Sequence, residues 1–270
     1  MFDTPWIAVL TALFLWWAAT GVLLWRVHSA DRQGRDAHLW SVLLFLPLLL
    51  GGLGVAHGTA GDASAFGVYA AFIAALAIWG WIELAFLSGV ITGPNSAPCP
   101  VGLAGSERFR RAFLTIAWHE AALVAALVFL FFVTRGAENS FAFWTFLLLF
   151  GARISAKLNL FLGVPRINTD FLPRPLAHLS GYFRQQPVSG FFPLSVTLLA
   201  LALGCLIERL WSADTQGAVI GFTLLSALCA LALLEHWFMV WRVRDDRLWR
   251  WMIPTTSENP KKLRGNPHGL

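Results

Sequence analysis

Residues 65–90 read AFGVYAAFIAALAIWGWIELAFLSGV, an apolar run in which Glu83 is the only charged side chain. A helix needs about 20 mostly apolar residues to cross the hydrocarbon core of a bilayer. Residues 217–241, GAVIGFTLLSALCALALLEHWFMVW, repeat the pattern, with Glu235 as their one charged residue. Runs of this length and composition predict membrane-spanning helices.

Composition extends this prediction to the whole chain of 270 residues. It is 57% hydrophobic and only 13% charged, whereas soluble domains carry about a quarter charged residues. We expect an all-α, polytopic membrane protein, a seven-transmembrane-helix bundle over residues 1–253 that ends in an interfacial segment, with a polar, disordered tail over 254–270. The predicted spans are about 6–25, 38–57, 65–90, 110–134, 140–163, 190–210 and 217–241.

Basic residues predict how the bundle is oriented. Sixteen arginines and lysines fall in the loops after spans 1, 3 and 5 and in the segment after span 7, against two, Arg135 and Arg209, on the other side. Because cytoplasmic loops carry the excess of positive charge, the N-terminus is expected to be periplasmic and the C-terminus cytoplasmic. The high isoelectric point is thus explained by topology, and no folded basic module for nucleic acid is present. Two proline- and glycine-containing cytoplasmic loops, 92–111 and 164–190, are expected to pack as ordered caps.

Four of the predicted spans carry ionisable side chains, although a charge costs roughly 2.5–3.5 kcal/mol at the centre of a spanning helix. With a rise of about 1.5 Å per residue, all of them fall in one layer in the cytoplasmic half of the membrane. Such groups must pair with one another, contact water or bind a ligand. The residues of this layer are Glu83, His119, Glu120, Arg153, Lys157, Glu235 and His236.

Several interpretations of this layer stay open at the level of sequence. The simplest is a buried ion-pair network that fixes helix packing. A second is a pigment site, because a neutral imidazole can coordinate the magnesium of a chlorin and Trp118 and Trp237 add flat apolar surface beside the histidines. A third is a metal site, for which the weak candidates are Glu120, His119, Glu235 and His236; the Glu-x-x-His spacing of bundled di-metal sites is missing. Proton or solute transport is a fourth.

Other polar residues have simpler interpretations. His28 and His38 in the first loop, His57 near a span end and His178 in a loop are expected to be interfacial or solvated. Ser155 and Asn159 in span 5 are candidates for hydrogen bonds to neighbouring helices. A further expectation is that Pro47 and Pro193 interrupt their helices.

Five segments carry a family resemblance. They are WGWIELAFLSGVITGP (79–94), AWHEAALV (117–124), ARISAKLNLFLGVPRIN (152–168), FPLSVT (192–197) and LLEHWFMV (233–240). In these segments the chain resembles the photosynthetic complex assembly protein 2 family, of the PuhE type. The resemblance implies a multi-pass protein of the bacterial inner membrane that helps to assemble the reaction centre and its light-harvesting antenna. Its implied partners are reaction-centre or antenna subunits, other assembly factors and membrane lipid.

Together, the layer and the resemblance lead to one hypothesis. The layer forms a cytoplasmic-side cavity for bacteriochlorophyll or a late precursor, with His119 and His236 as candidate magnesium ligands. The three glutamates orient the imidazoles or bond pigment carbonyls, and Arg153 and Lys157 balance charge. A non-enzymatic role is favoured; the alternatives are a metal-dependent membrane enzyme of bacteriochlorophyll metabolism and a structural chaperone with no ligand.

Overall fold

The computed structural model of the chain describes residues 4–167, 169 and 172–241. Their regular structure is helical apart from one isolated bridge between Val164 and Gln185. The α-helices are α1 (Pro5–Gln33), α2 (Arg35–Leu44), α3 (Leu46–Gly58), α4 (Ala65–Leu87), α5 (Gly105–Thr134), α6 (Phe141–Leu162), α7 (Phe191–Trp211) and α8 (Gln216–Phe238), and a 3₁₀ helix covers Arg174–Tyr182. The predicted segment 242–253 and tail 254–270 lie outside the described residues.

The described helices form seven candidate membrane spans when α2 and α3 are counted as one span. Each is long and apolar enough to cross a membrane, so the predicted all-α, multi-pass architecture is confirmed for the described part of the chain. The largest difference in length is in α1, which continues eight residues past the predicted end at residue 25. Its polar last turns stay helical because they pack beside α2, with Asp31 accepting a hydrogen bond from His38 across the turn.

Two sequence features shape the second span. Gly34 separates α1 from α2 with a φ of 106°, a left-handed conformation that glycine adopts without steric cost. Within the span, the helix is interrupted at Phe45, two residues before Pro47. Proline has no backbone N–H and its ring displaces the carbonyl four residues earlier, so the predicted interruption at Pro47 is confirmed. The expectation for Pro193 was wrong: it is the third residue of α7, which is uninterrupted, because the first turn of a helix does not need that N–H.

The centre of the bundle is formed by α4 and α8, the two helices with the largest buried fraction. One apolar cluster joins α4 to α3, α5 and α6 around Ile78, Leu123 and Phe146. A second joins α4 to α1 and α8 around Phe72 and Leu224. Most of α4 is therefore in contact with other helices, and its sequence is apolar on every side, as expected for a central helix in a membrane.

Two long connections cover one end of the bundle, which we call the loop-rich end: residues 88–104 between α4 and α5, and residues 163–190 between α6 and α7. Leu176 and Leu179 of the 3₁₀ helix pack on Phe86 of α4. The connections also bind each other, since Asn95 donates to the hydroxyl oxygen of Tyr182 at 3.0 Å and that hydroxyl donates to the carbonyl of Ala97 at 3.1 Å. They are ordered caps, as predicted.

Arg108 has a role that its sequence position did not reveal. Expected to be a loop arginine, it lies on α5 and is only 6% exposed. Its guanidinium donates to the carbonyls of Phe161, at 3.1 Å, and Tyr182, and lies 4.1 Å from the centroid of the Phe161 ring. It therefore joins the start of α5 to the end of α6 and to the 3₁₀ helix.

Replacing Arg108 with methionine is expected to lower the free energy of unfolding by about 2 kcal/mol or more. The substitution keeps an apolar stem but removes two charge-assisted hydrogen bonds, each worth about 1.5–3 kcal/mol. Arg110→Met is the matched control, because Arg110 is exposed and contacts only Glu107; its loss should cost at most about 1 kcal/mol. Thermal unfolding in detergent measures both, and equal losses would contradict the assigned role.

Candidate functional site

Five of the seven layer residues form one connected network between α4, α5 and α6. Arg153 donates to Oε2 of Glu83 at 2.8 Å. Lys157 donates to Oε1 of Glu120 at 2.5 Å. His119 lies between these two ion pairs and is fully buried, with ring nitrogens 3.6 Å from Oε1 of Glu83 and 3.5 Å from Oε1 of Glu120.

The contacts of His119 define the tautomer of its ring. Nζ of Lys157 lies 3.2 Å from Nδ1, and an ammonium group can only donate. Nδ1 must therefore accept, and the ring proton of the neutral imidazole is assigned to Nε2, which lies 3.6 Å from Oε1 of Glu83. The ring of Phe86 covers the imidazole with a centroid distance of 4.2 Å. His119 thus lies between a cation on α6, within hydrogen-bond distance of Nδ1, and a carboxylate on α4, just beyond that distance from Nε2.

Helix geometry explains how adjacent residues serve one network. Arg153 and Lys157 are four residues apart and share a face of α6. His119 and Glu120 point about 100° apart on α5, and Lys157 lies between their directions, within 3.2 Å of an atom of each. With two carboxylates and two cations, the network has a formal charge of zero when the imidazole is neutral.

A loop backbone positions this part of α5. The N–H groups of Trp118 and His119 donate to the carbonyl of Thr92, at 3.0 and 3.2 Å, and the N–H of Asn95 donates to the carbonyl of Leu114 at 3.1 Å. Backbone groups within a helix ordinarily bond along it, so the segment after α4 attaches sideways to α5 at the network. The sequence signal was the Gly93–Pro94 pair, which indicated only a loop.

The two layer residues of α8 lie outside this network. His236 is buried, with Nδ1 2.8 Å from the carbonyl of Ala232 and Nε2 2.8 Å from the hydroxyl of Ser155. A carbonyl can only accept, so Nδ1 donates and Nε2 accepts from Ser155. Glu235 accepts a hydrogen bond from Nε1 of Trp16 at 2.8 Å. The expectation that Ser155 binds a neighbouring helix is confirmed.

Asn159 supports the same region of α6. Its side-chain amide donates to the hydroxyl of Ser195 on α7 at 2.9 Å, in agreement with the sequence-based expectation. The amide also donates to the carbonyl of Ser155, one turn earlier. Ser155 and Asn159 thus join α6 to α8 and α7, on the same helix as the two cations.

A cavity of 380 Å³ lies between α1, α4, α6 and α8. Glu83 and Arg153 of the network line it, and Glu235 reaches it from α8. Trp16 and Trp79 also contribute to its wall. Its volume falls in the lower part of the range of small-molecule sites, roughly 300–1,000 Å³. Three of the predicted site residues therefore meet at a space large enough for part of a ligand.

The described side chains favour some of the predicted chemistries over others. No group of three or more His, Cys, Asp or Glu side chains in residues 4–167, 169 and 172–241 has the geometry of a metal site. Each network carboxylate also has a cationic side chain within 2.8 Å, and a metal ion would have to displace that side chain. Ligation of a chlorin magnesium by His119 or His236 stays a prediction, one that requires the ring to leave its protein partner.

Among the remaining histidines, His38 differs from its prediction. It was expected in the first loop as an interfacial or solvated residue, but it lies on α2, is 5% exposed and contacts Asp31. Asp31 also lies 3.7 Å from His28 and accepts from the backbone N–H of Arg174, so it joins α1 and α2 to the loop-rich end. His178 is half-buried on the 3₁₀ helix, and burial lowers the pKa of its imidazole.

Sequence comparisons identify a matching family and a similar protein. The profile of a family described as "Protein of unknown function (DUF3623)" matches residues 2–260. A protein of Rhodobacter capsulatus, described as "Uncharacterized 30.4 kDa protein in puhA 5'region", is 51% identical over 265 residues, which cover 98% of this chain and 96% of the relative. No solved structure matches the chain.

Proposed function

Since the chain belongs to the DUF3623 family of proteins of unknown function, and a relative of 51% identity is encoded beside puhA in a photosynthetic bacterium, we propose that it acts in photosynthesis. Its role is to assist assembly of the reaction centre and light-harvesting antenna. The resemblance of five segments to the photosynthetic complex assembly protein 2 family supports the same role. Subunits of those complexes and other assembly factors are its proposed partners.

The proposed location is the bacterial inner membrane, with the loop-rich end in the cytoplasm. The support is the distribution of basic residues, because the connection 163–190 holds three arginines and the first turns of α5, at the same end, hold three more, and positive residues are retained on the cytoplasmic side. The N-terminus is then periplasmic, and the polar network lies in the cytoplasmic half of the membrane.

The observation that carries a ligand-handling role is the cavity beside the network. Glu83 and Arg153 hold an ion pair at its wall, and a charged pair at membrane depth is costly to maintain without a use. The ligand we propose is bacteriochlorophyll or a late precursor, an amphiphile with polar groups on a large apolar ring. The protein would hold the pigment during its delivery to the complexes and would not transform it.

The test of this proposal has two arms. The first is purification of the full chain in mild detergent from a pigment-producing cell, followed by its absorption spectrum; a bound chlorin is expected. The second is to replace both His119 and His236 with alanine in the cell and to measure reaction-centre and antenna absorption. A tenfold or larger loss is expected from the double variant, with His57→Ala, an exposed histidine, as control. No bound chlorin together with normal complexes in the double variant would overturn the proposal.

One observation favours a second candidate, a structural chaperone without a ligand. Every charged member of the network has an oppositely charged partner within 2.8 Å, as expected if the charges only fix the packing of helices. In that case substitutions in the network would lower the abundance of this protein in the membrane. The amount of photosynthetic complexes would then fall in proportion. A variant with normal abundance and defective complexes would separate the two functions in favour of ligand handling.

A further inference from the structure

The cavity between α1, α4, α6 and α8 has two chemically different ends. Along α4 its wall runs from Phe72 to Leu87, a distance of about 22 Å at 1.5 Å per residue. Glu83, Arg153 and Glu235 line the part nearer the loop-rich end, whereas the other part is lined by apolar side chains such as Phe72 and Leu228. The space therefore matches an elongated amphiphile with a polar head and a hydrocarbon tail.

Arg153 is the side chain best placed to select the head of that amphiphile. A guanidinium has five N–H donors, and in the described chain Arg153 donates one hydrogen bond, to Glu83. Its Nε is buried without a hydrogen-bond partner among the described residues, but 40% of the side chain is exposed. The group is thus fixed by one carboxylate and retains donors for an acceptor on a ligand.

The charge of Arg153 indicates what kind of acceptor fits. Glu83 at 2.8 Å already compensates the cation, so a phosphate or carboxylate head would bring an unbalanced negative charge to a low-dielectric site, which is costly. A carbonyl oxygen accepts the same hydrogen bonds without adding charge. The fit is therefore better for an uncharged head than for the head group of an anionic lipid.

The cavity wall combines residues without large side chains and two tryptophans. Gly80 faces open space, because a Cβ added to it would have no atom within 4 Å. Ala152 and Ala156 lie one turn apart on the α6 wall, and Trp16 and Trp79 contribute broad apolar rings. Small residues and aromatic rings in one wall leave a space that suits a flat ring, which can stack on aromatic side chains.

We infer that this cavity binds an uncharged amphiphile with a flat, carbonyl-bearing ring and a hydrocarbon tail, and that Arg153 donates a hydrogen bond to the ring carbonyl. The inference rests on the proposed function for its cellular setting and specifies the atoms that recognise the ligand. Glu83 is a positioning residue, since it holds the guanidinium at the wall. A tetrapyrrole pigment and a prenylated quinone share this chemistry, and the experiment distinguishes them.

The first experiment fills the cavity. The full chain is purified in mild detergent from its pigment-producing host, and bound compounds are extracted and identified by absorption and mass spectrometry. Gly80→Phe should reduce the bound ring compound at least tenfold, because the new ring enters the space beside Arg153. Gly204→Phe on α7 is the matched control, since a Cβ there also meets no atom within 4 Å and Gly204 does not line the cavity; it should retain the ligand within twofold.

The second experiment tests the hydrogen bond from Arg153. In Arg153→Lys the charge opposite Glu83 is kept but the planar fork of donors is lost. The ring carbonyl stretch, measured by resonance Raman or infrared difference spectroscopy, should move to higher frequency because the shorter ammonium pairs with Glu83 and no longer presents a directed donor to the carbonyl. The double variant Glu83→Gln/Arg153→Met removes the ion pair without leaving one charge alone, and it should show the same shift and a weaker retention of ligand.

The outcomes separate the two proposals. Recovery of phospholipid alone, equal retention in the two glycine variants, or an unchanged carbonyl frequency in Arg153→Lys would overturn the inference about this cavity. Bound chlorin that is unaffected by Gly80→Phe would leave the assembly role supported and locate its ligand elsewhere. A quinone that is lost in Gly80→Phe would support the cavity and contradict pigment handling.

Discussion

Replacing Gly93 with alanine is expected to lower the free energy of unfolding by at least about 3 kcal/mol, the upper part of the range for overpacking. The added Cβ would overlap the carbonyl oxygen of Leu114 and lie 2.8 Å from the carbonyl carbon of Thr115 and 2.9 Å from the nitrogen of Ala117. These are backbone atoms of α5, so no side-chain rotation relieves the overlap. The segment must move away from α5, with loss of the hydrogen bonds from Trp118 and His119 to Thr92.

The measurement is thermal unfolding of the detergent-purified protein, followed by intrinsic tryptophan fluorescence and by the fraction that remains monodisperse. Gly105→Ala is the matched control, because no atom lies within 4 Å of its added Cβ. That substitution, at the first residue of α5, should leave stability unchanged or raise it by up to about 1 kcal/mol. Similar midpoints for Gly93→Ala and the native chain would show that the loop does not depend on this close approach.

The second large effect is expected from Lys157→Met, which removes the cation shared by His119 and Glu120. The carboxylate of Glu120, 2.5 Å from Nζ, would lose its ion pair, and Nδ1 of His119 would lose its donor. Breaking a buried pair by removing one partner costs about 3–5 kcal/mol. We expect about 3 kcal/mol, the low end of that range, because the Lys157 side chain is partly exposed.

A double substitution tests whether the loss comes from the uncompensated charge. In Lys157→Met/Glu120→Gln no carboxylate is left without a cation at this position, so the double variant should regain more than half of the stability lost in the single variant. Arg209→Met is the control for removal of an exposed cation, and its effect should stay within about 0.5 kcal/mol. If the double variant is no more stable than Lys157→Met, the pair has no direct electrostatic role.

Much of this architecture could be predicted from local pattern. The continuous apolar runs around Ile78 and Leu224 predicted the two central helices, and Pro47 predicted the interruption within the second span. The positions of Glu83, Arg153 and Lys157 near the same ends of their helices placed them at one depth. These properties depend on helix rise, length and composition, which a sequence specifies directly.

Other features could not be predicted because they depend on contacts between distant segments. Nothing in the local sequence around Arg108 distinguishes a loop arginine from one that binds the carbonyls of Phe161 and Tyr182. His38 likewise looked solvated until α2 folded back on Asp31. A Gly–Pro pair indicates a loop but does not reveal that the carbonyl of Thr92 reaches the N–H groups of α5.

The sequence by itself determined that this is an all-helical, seven-span chain with its ionisable groups on four helices at a common level. Only the tertiary structure decided which groups meet: five form a network between α4, α5 and α6, while Glu235 faces the cavity and His236 binds Ser155. The physical reason is that helical periodicity fixes the depth and relative direction of side chains on one helix, whereas the rotation of each helix about its axis is set by packing against its neighbours.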